Sequence, residues 1–240
     1  VPRADAFTSI SRRTAEVSSK LFGVPLTEIE VIPNAVDIEV FSPGAEDAAE
    51  DALLLYVGTV CEKKGALETV QALDVLRRSH PGVRLVMIGR NGVDFDGNPD
   101  YVGYLRSRFP SACQQHVDFL GHVSNDDLPT WYRKATIVVL PSYYESFGRT
   151  TIEAMACEKA VVRTEAPPGP EIIEDGVNGL LCRTRDHQDL AAKLETLLNS
   201  EELRRRLGRQ ARESAQRTYS KTVVAEAMER FLFGVLGGAN

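Results

Sequence analysis

Two glutamates with seven residues between them, Glu145 and Glu153, stand in the stretch PSYYESFGRTTIEAMA. Glu145 falls in a loop after a short apolar run. Glu153 falls about one turn inside the helix that the following residues predict. Ser146, Phe147 and Gly148 come just before that helix, and their N–H groups, with those of Arg149 and Thr150, are donors that no helical turn satisfies. A helix start with Arg149 beside it suits a phosphate, and flanking carboxylates suit sugar hydroxyls as strong acceptors. The plainer alternative makes Glu145 a loop acid and Glu153 a surface helix residue. A second loop, YVGTVCEKKG, sets Gly58 at a strand end and Lys63-Lys64 just before a helix, a cationic place for an anion or simply a solvated lysine pair. It is neither a Walker A loop nor a GxGxxG fingerprint.

These loops need rigid elements to hold them. LLLYVG (53–58), VRLVMIG (83–89), VDFLG (117–121), TIVVLPS (136–142), KAVVRT (159–164) and NGLLC (178–182) read as short, mostly apolar strands. Helical patterns lie between them at 66–80, 100–115, 124–135 (capped by Ser124 or Asn125) and 150–158, with a short turn at 171–176. Residues 9–22 predict a helix stopped by Gly23, 28–36 a short strand, and 186–236 a helix-rich end. Alternation of this kind predicts an α/β fold: a Rossmann-like parallel sheet of about six strands with helices on both faces. Ligands of such sheets bind beyond the carboxyl ends of the strands, which selects 58–65, 89–92, 121–123 and 142–149.

Composition narrows the classes. The 240 residues carry 28 basic and 34 acidic side chains, a net charge of −6, with 43% hydrophobic and 26% charged residues. These values argue against disorder and against a general nucleic-acid binder, and no run is long enough to span a bilayer. Cys61, Cys113, Cys157 and Cys182 are far apart, as are the four histidines, so reduced thiols in a cytoplasmic protein are the simplest reading and a metal site is not expected. Asp126-Asp127 reads better as capping acid than as a metal site. Trp131 and Tyr132 read as core, Tyr143 and Tyr144 as site-lining or partly buried loop aromatics. Arg204-Arg205-Arg206 reads as a solvated helix face with i, i+4 partners. The start at Val1-Pro2, without an initiator Met, suggests a piece of something longer.

The E-x7-E stretch after a strand ending in PS resembles that of the family 4 (group 1) retaining glycosyltransferases of the GT-B fold. VIPNAVDIEVFSPG, YVGTVCEKKG, VDFLGHVSNDDLPTWYRKATIVVLPS and PEIIEDGVNGLLC resemble other family segments in the same order, so the likeness covers about residues 25–200. It implies that this chain is one lobe of a GT-B fold. Residues 1–24 would be the last helix of an absent acceptor lobe, 25–52 the interdomain linker, 53–220 the donor-binding domain and 221–240 a helix crossing back to that lobe.

By the resemblance, Glu145 contacts donor sugar hydroxyls and Lys64 neutralises the diphosphate as the nucleotide departs. Glu153 holds the ribose. Thr150 and the N–H groups of Phe147, Gly148 and Arg149 meet phosphate or sugar, Gly58, Thr59, Lys63 and Ser146 complete the donor site, and the base lies by His122-Val123. The implied donor is a UDP- or GDP-sugar, with no metal or other cofactor. The implied partners are the acceptor lobe and, through it alone, the inner membrane face. Thr59 stands where the family usually has Arg, Ser146 where it has Gly, Arg149 where it has a small apolar residue, and Pro167-Pro168 where it has Gly-Gly. A stand-alone nucleotide-sugar binding module, or an epimerase or phosphorylase relative, is the alternative.

Overall fold

The computed structural model describes residues 4–44, 52–93, 96–97, 99–109 and 111–237. Residues 45–51 of the expected linker, 25–52, lie outside them. A six-stranded, wholly parallel sheet dominates. Its strands are β3 (Leu53–Val57), β4 (Arg84–Ile88), β5 (Val117–Gly121), β6 (Ile137–Leu140), β7 (Ala160–Thr164) and β8 (Leu180–Cys182), in the order β5-β4-β3-β6-β7-β8. The central strands read as unbroken apolar runs because both faces are covered. Leu54 and Tyr56 of β3 pack on one side with Val70 and Leu73 of α2 (Ala66–Leu76) and Leu190 and Leu194 of α8 (His187–Leu198). Leu55 and Val57 pack on the other with Tyr132 of α5 (Leu128–Lys134), Met155 of α6 (Arg149–Ala156) and Ala211 of α9 (Glu201–Tyr219).

Three expected elements come out differently. The helix expected over 100–115 is two, α3 (Tyr101–Arg108) and α4 (Ser111–Gln114). Phe109, which precedes a proline, is extended at φ −88 and ψ 142, as the proline ring demands. The helix expected from 124 begins only at Leu128. Ser124 Oγ instead bonds Asp127 Oδ2 at 2.6 Å in the turn before it, and no side chain caps the helix. The first residues of the expected 9–22 helix belong to a strand. β1 (Phe7–Ser9) pairs in parallel with β2 (Ile29–Val31), and α1 (Arg12–Phe22) starts after Ser11, whose side chain accepts from the Thr14 N–H. α1 ends at Gly23, which caps it with φ 70.

The short helix α7 (Gly169–Ile172) follows β7, and α10 (Lys221–Gly237) follows α9. The Val36 N–H bonds the Tyr219 carbonyl at 2.8 Å, and Lys221 Nζ reaches Asp37 Oδ2 at 2.5 Å, so the start of α10 is tied to the segment after β2. Beyond that tie no residue of α10 is buried.

Candidate functional site

In this sheet β3 is followed by strands leading outward one way and β6 by strands leading outward the other. The carboxyl ends of β3 and β6 therefore border the crevice where ligands of open α/β sheets bind. Two loops meet there. After β3 the chain makes a tight turn over Glu62–Lys64 and reverses at Gly65, whose φ is 69. A Cβ on Gly65 would fall 2.1 Å from the Pro141 carbonyl oxygen, so glycine lets this turn touch the loop after β6. The Tyr143 N–H donates to the Lys63 carbonyl at 2.9 Å, and the Tyr143 hydroxyl donates to the Glu68 carboxylate at 2.5 Å. Held in this way, Lys64 Nζ forms an ion pair with Glu145 Oε1, to which Ser142 Oγ also donates at 3.0 Å. The cation and the carboxylate singled out in the sequence thus meet, each side chain about one-fifth exposed. Glu145 Oε2 is given no partner by these bonds.

Glu153 is not a surface residue. It is 7% exposed, accepts from Tyr132 Oη at 3.0 Å, and has Arg149 Nη2 at 3.9 Å. Burial pushes its carboxyl above the ordinary glutamate range, against the pull of the tyrosine hydroxyl and the guanidinium. Phe147 is buried edge-on against Tyr219, with ring centres 5.8 Å apart, which anchors the turn into α6. Gly148 starts α6 at φ 104, and Arg149 and Thr150 open the helix with N–H groups that have no intrahelical acceptor. The Ser146 carbonyl accepts from Ser11 Oγ (2.8 Å) and Thr14 Oγ1 (2.9 Å).

His122 and Val123 follow β5, on the β3 side of the switch point. They line a cavity of about 310 Å³ with Gly58, Thr59, Arg90 and Leu128. Thr59 and Lys63 are exposed. The structure adds residues that the sequence reading passed over. Tyr132, read as core, also holds Glu153. Ser142 holds Glu145. Arg163 lies buried beneath Gly148, and its signal was a charge directly after the apolar residues of KAVVRT. Glu171 accepts from the Arg12 and Arg13 N–H groups at 2.8 and 2.9 Å, a contact across more than 150 residues that no local pattern reveals. Among the described residues there is no group of three or more His, Cys, Asp or Glu placed to hold a metal, and no helix long and apolar enough to cross a membrane.

Comparison with known proteins gives this geometry a lineage. Residues 38–214 match the family model of glycosyl transferases group 1. Glycogen synthase of Mycobacterium tuberculosis is 31% identical over 228 residues, which is 95% of this chain and 53% of that protein. The chain thus spans about half the length of this curated relative. The C-terminal domain of a glycosyl transferase group 1 family protein (LpcC) from Francisella tularensis superposes with a TM-score of 0.67 at 27% identity, covering 78% of this chain and 99% of that one. HepE of Anabaena, solved in complex with UDP-glucose, superposes with a TM-score of 0.84 at 23% identity, over 97% of this chain and 65% of its own.

Proposed function

The chain belongs to the group 1 glycosyl transferases, and we propose that it is the nucleotide-sugar-binding part of such an enzyme. The observation that carries this is the ion pair of Lys64 with Glu145, set beside the open N-terminus of α6 where β3 and β6 part. A nucleoside diphosphate laid across the switch point puts its phosphates against the first N–H groups of α6 and Lys64, where dipole and ammonium offset the charge. Glu145 turns its second oxygen to the sugar hydroxyls. Glu153 takes the ribose hydroxyls, and the base enters the cavity by His122 and Val123. As the glycosidic bond breaks, charge develops on the leaving diphosphate, and these pre-set donors stabilise it without a metal ion. Retention of configuration follows the family resemblance. The UDP-glucose complex of HepE makes UDP the first nucleotide to try, with GDP next.

The acceptor belongs to an amino-terminal lobe that is not in this chain. Residues 1–24 and 221–240 are its contacts, 25–52 the linker and 53–220 the donor domain. The chain alone is expected to bind nucleotide and to transfer nothing measurable. A thermal-shift and calorimetry panel of UDP-, GDP- and ADP-sugars, repeated with Glu153→Ala and Lys64→Ala, tests the site. Stabilisation by one nucleotide, lost in both variants, supports it. Binding that survives both substitutions moves the site elsewhere, and transfer by this chain alone overturns the two-lobe reading.

A further inference from the structure

β7 reads Ala160-Val161-Val162-Arg163-Thr164, and side chains alternate across it. Val162 packs on the α2 face and Val161 on the α6 face, which gives Arg163 the α6 face at the carboxyl end of the strand, level with Leu140 of β6 and Leu181 of β8. Its side chain is 2% exposed. Nη1 donates to Thr151 Oγ1 at 3.0 Å, whereas Nε is buried with no partner. Among the described residues no carboxylate lies within ion-pair distance. Glu145 and Glu171 are near enough to favour the charge, but desolvation outweighs them and pulls the guanidinium down to about 10, so it stays protonated at neutral pH.

An interior cation without a counter-ion is costly unless something compensates it. The place of this one shows what does. A Cβ on Gly148 would lie 2.9 Å from Nη1 and 3.4 Å from Nη2, so the guanidinium sits directly behind the turn that starts α6, and glycine leaves no side chain between it and the front of that turn. Helix dipole and buried charge point at the same spot.

We infer that Arg163 is a positioning residue for the donor's diphosphate, its buried charge completing behind Gly148 the anion seat that Lys64 and the N-terminus of α6 form in front. The inference rests on the donor-site reading above. Arg163 need not touch the ligand: its charge acts through the turn, and its bond to Thr151 keeps that turn in place. The resting molecule carries this cation without an ion-pair partner, and the bound diphosphate supplies the nearby negative charge.

The test compares UDP with UMP, which lacks the β-phosphate, by calorimetry on the wild type and on Arg163→Met and Arg163→Lys. The ratio of UDP to UMP affinity is expected to fall about tenfold or more in Arg163→Met, as removal of one charge near a partly buried anion should do, and to be largely kept in Arg163→Lys. UMP affinity should hardly change. A tie that is only structural would lower both affinities together, or lower Tm with the ratio unchanged, and either result overturns the inference. Should Arg163→Met fail to fold, Thr151→Asp sets a carboxylate on Nη1 and neutralises the charge in place. The ratio must then fall, while Thr151→Asn keeps it; an unchanged ratio in Thr151→Asp overturns the inference. If the wild type binds no nucleoside diphosphate, the donor-site reading itself fails, which is a different outcome from an unmoved ratio.

Discussion

Glu153 sits where its charge is disfavoured, yet its proposed work, accepting from two ribose hydroxyls, needs that charge. Its carboxyl is raised mainly by burial, so the folded protein holds this proton more tightly than the unfolded chain does. Ionisation therefore costs folding free energy once pH rises past the unfolded value, and the cost is complete above the folded value. Glu153→Gln should raise Tm at neutral pH and weaken nucleotide binding about tenfold or more, the loss expected when a charged acceptor becomes a neutral one. Wild-type nucleotide affinity should climb with pH through a midpoint above 4.5, the ordinary value for this carboxyl, and Glu153→Gln should flatten that climb. Tyr132→Phe removes the bond that pulls the carboxyl down, so it should move the midpoint higher still. A midpoint unmoved by Tyr132→Phe would mean that the hydroxyl does not hold the ionised form. The spacing from Glu145 made Glu153 visible in the sequence. Its partner was not visible, because an aromatic in LPTWYRK reads as core until α5 is placed against α6.

Elements show the same division between near and far. The body of the helix expected over 9–22 was legible from its apolar stripe and Gly23, although it starts only at Arg12, after the Ser11 cap. What its N-terminus rests on was not legible. Glu171 stands outside the helix and accepts from the first two N–H groups of α1, while Ser11 and Thr14 grip the Ser146 carbonyl of the loop after β6. α1 is thus docked on the site by its own unsatisfied backbone donors, the groups that every helix start must pair somewhere. Glu171→Ala should leave the sheet intact and loosen this dock by about 1 kcal/mol, the usual worth of a lost N-terminal cap. Hydrogen exchange reads it directly: the Arg12 and Arg13 amides should exchange severalfold faster in the variant, while amides of β3 and β6 keep their rates. Equal acceleration throughout would mean that Glu171 supports global stability and not this contact. Helix boundaries elsewhere slipped for physical reasons of the same kind. Phe109 was turned out of helix by the proline that follows, and Asp127, although an acid before a helix, makes no capping bond because Ser124 already engages it.

At the scale of the whole molecule, alternation of short apolar strands with amphipathic helices made the parallel sheet legible, since a strand covered on both faces has no polar side to show. The strand order was not legible, because periodicity says which face a residue takes and nothing about which strand lies next to it. One more feature belongs to this scale. Leu232 (51%), Phe233 (66%) and Leu236 (71%) of α10 are exposed, and so are Leu21 and Phe22 at the end of α1, and these five include the most exposed large apolar side chains among the described residues. The two-lobe proposal expects the apolar side chains of these two elements to lie under the acceptor lobe. Two settings test this. In the 240-residue chain, Phe233→Asp with Leu236→Asp removes little packing, so the unfolding free energy should move by no more than about 0.5 kcal/mol, as for ordinary surface changes. In a two-lobed enzyme, the proposal puts the same pair under the other lobe, where the change should cost roughly 1.5–3 kcal/mol per side chain, seen as a lower Tm and a weakened transfer rate. Equal, negligible effects in both settings would place the acceptor lobe on another face, and equal, large effects would mean that α10 packs on this lobe in solution.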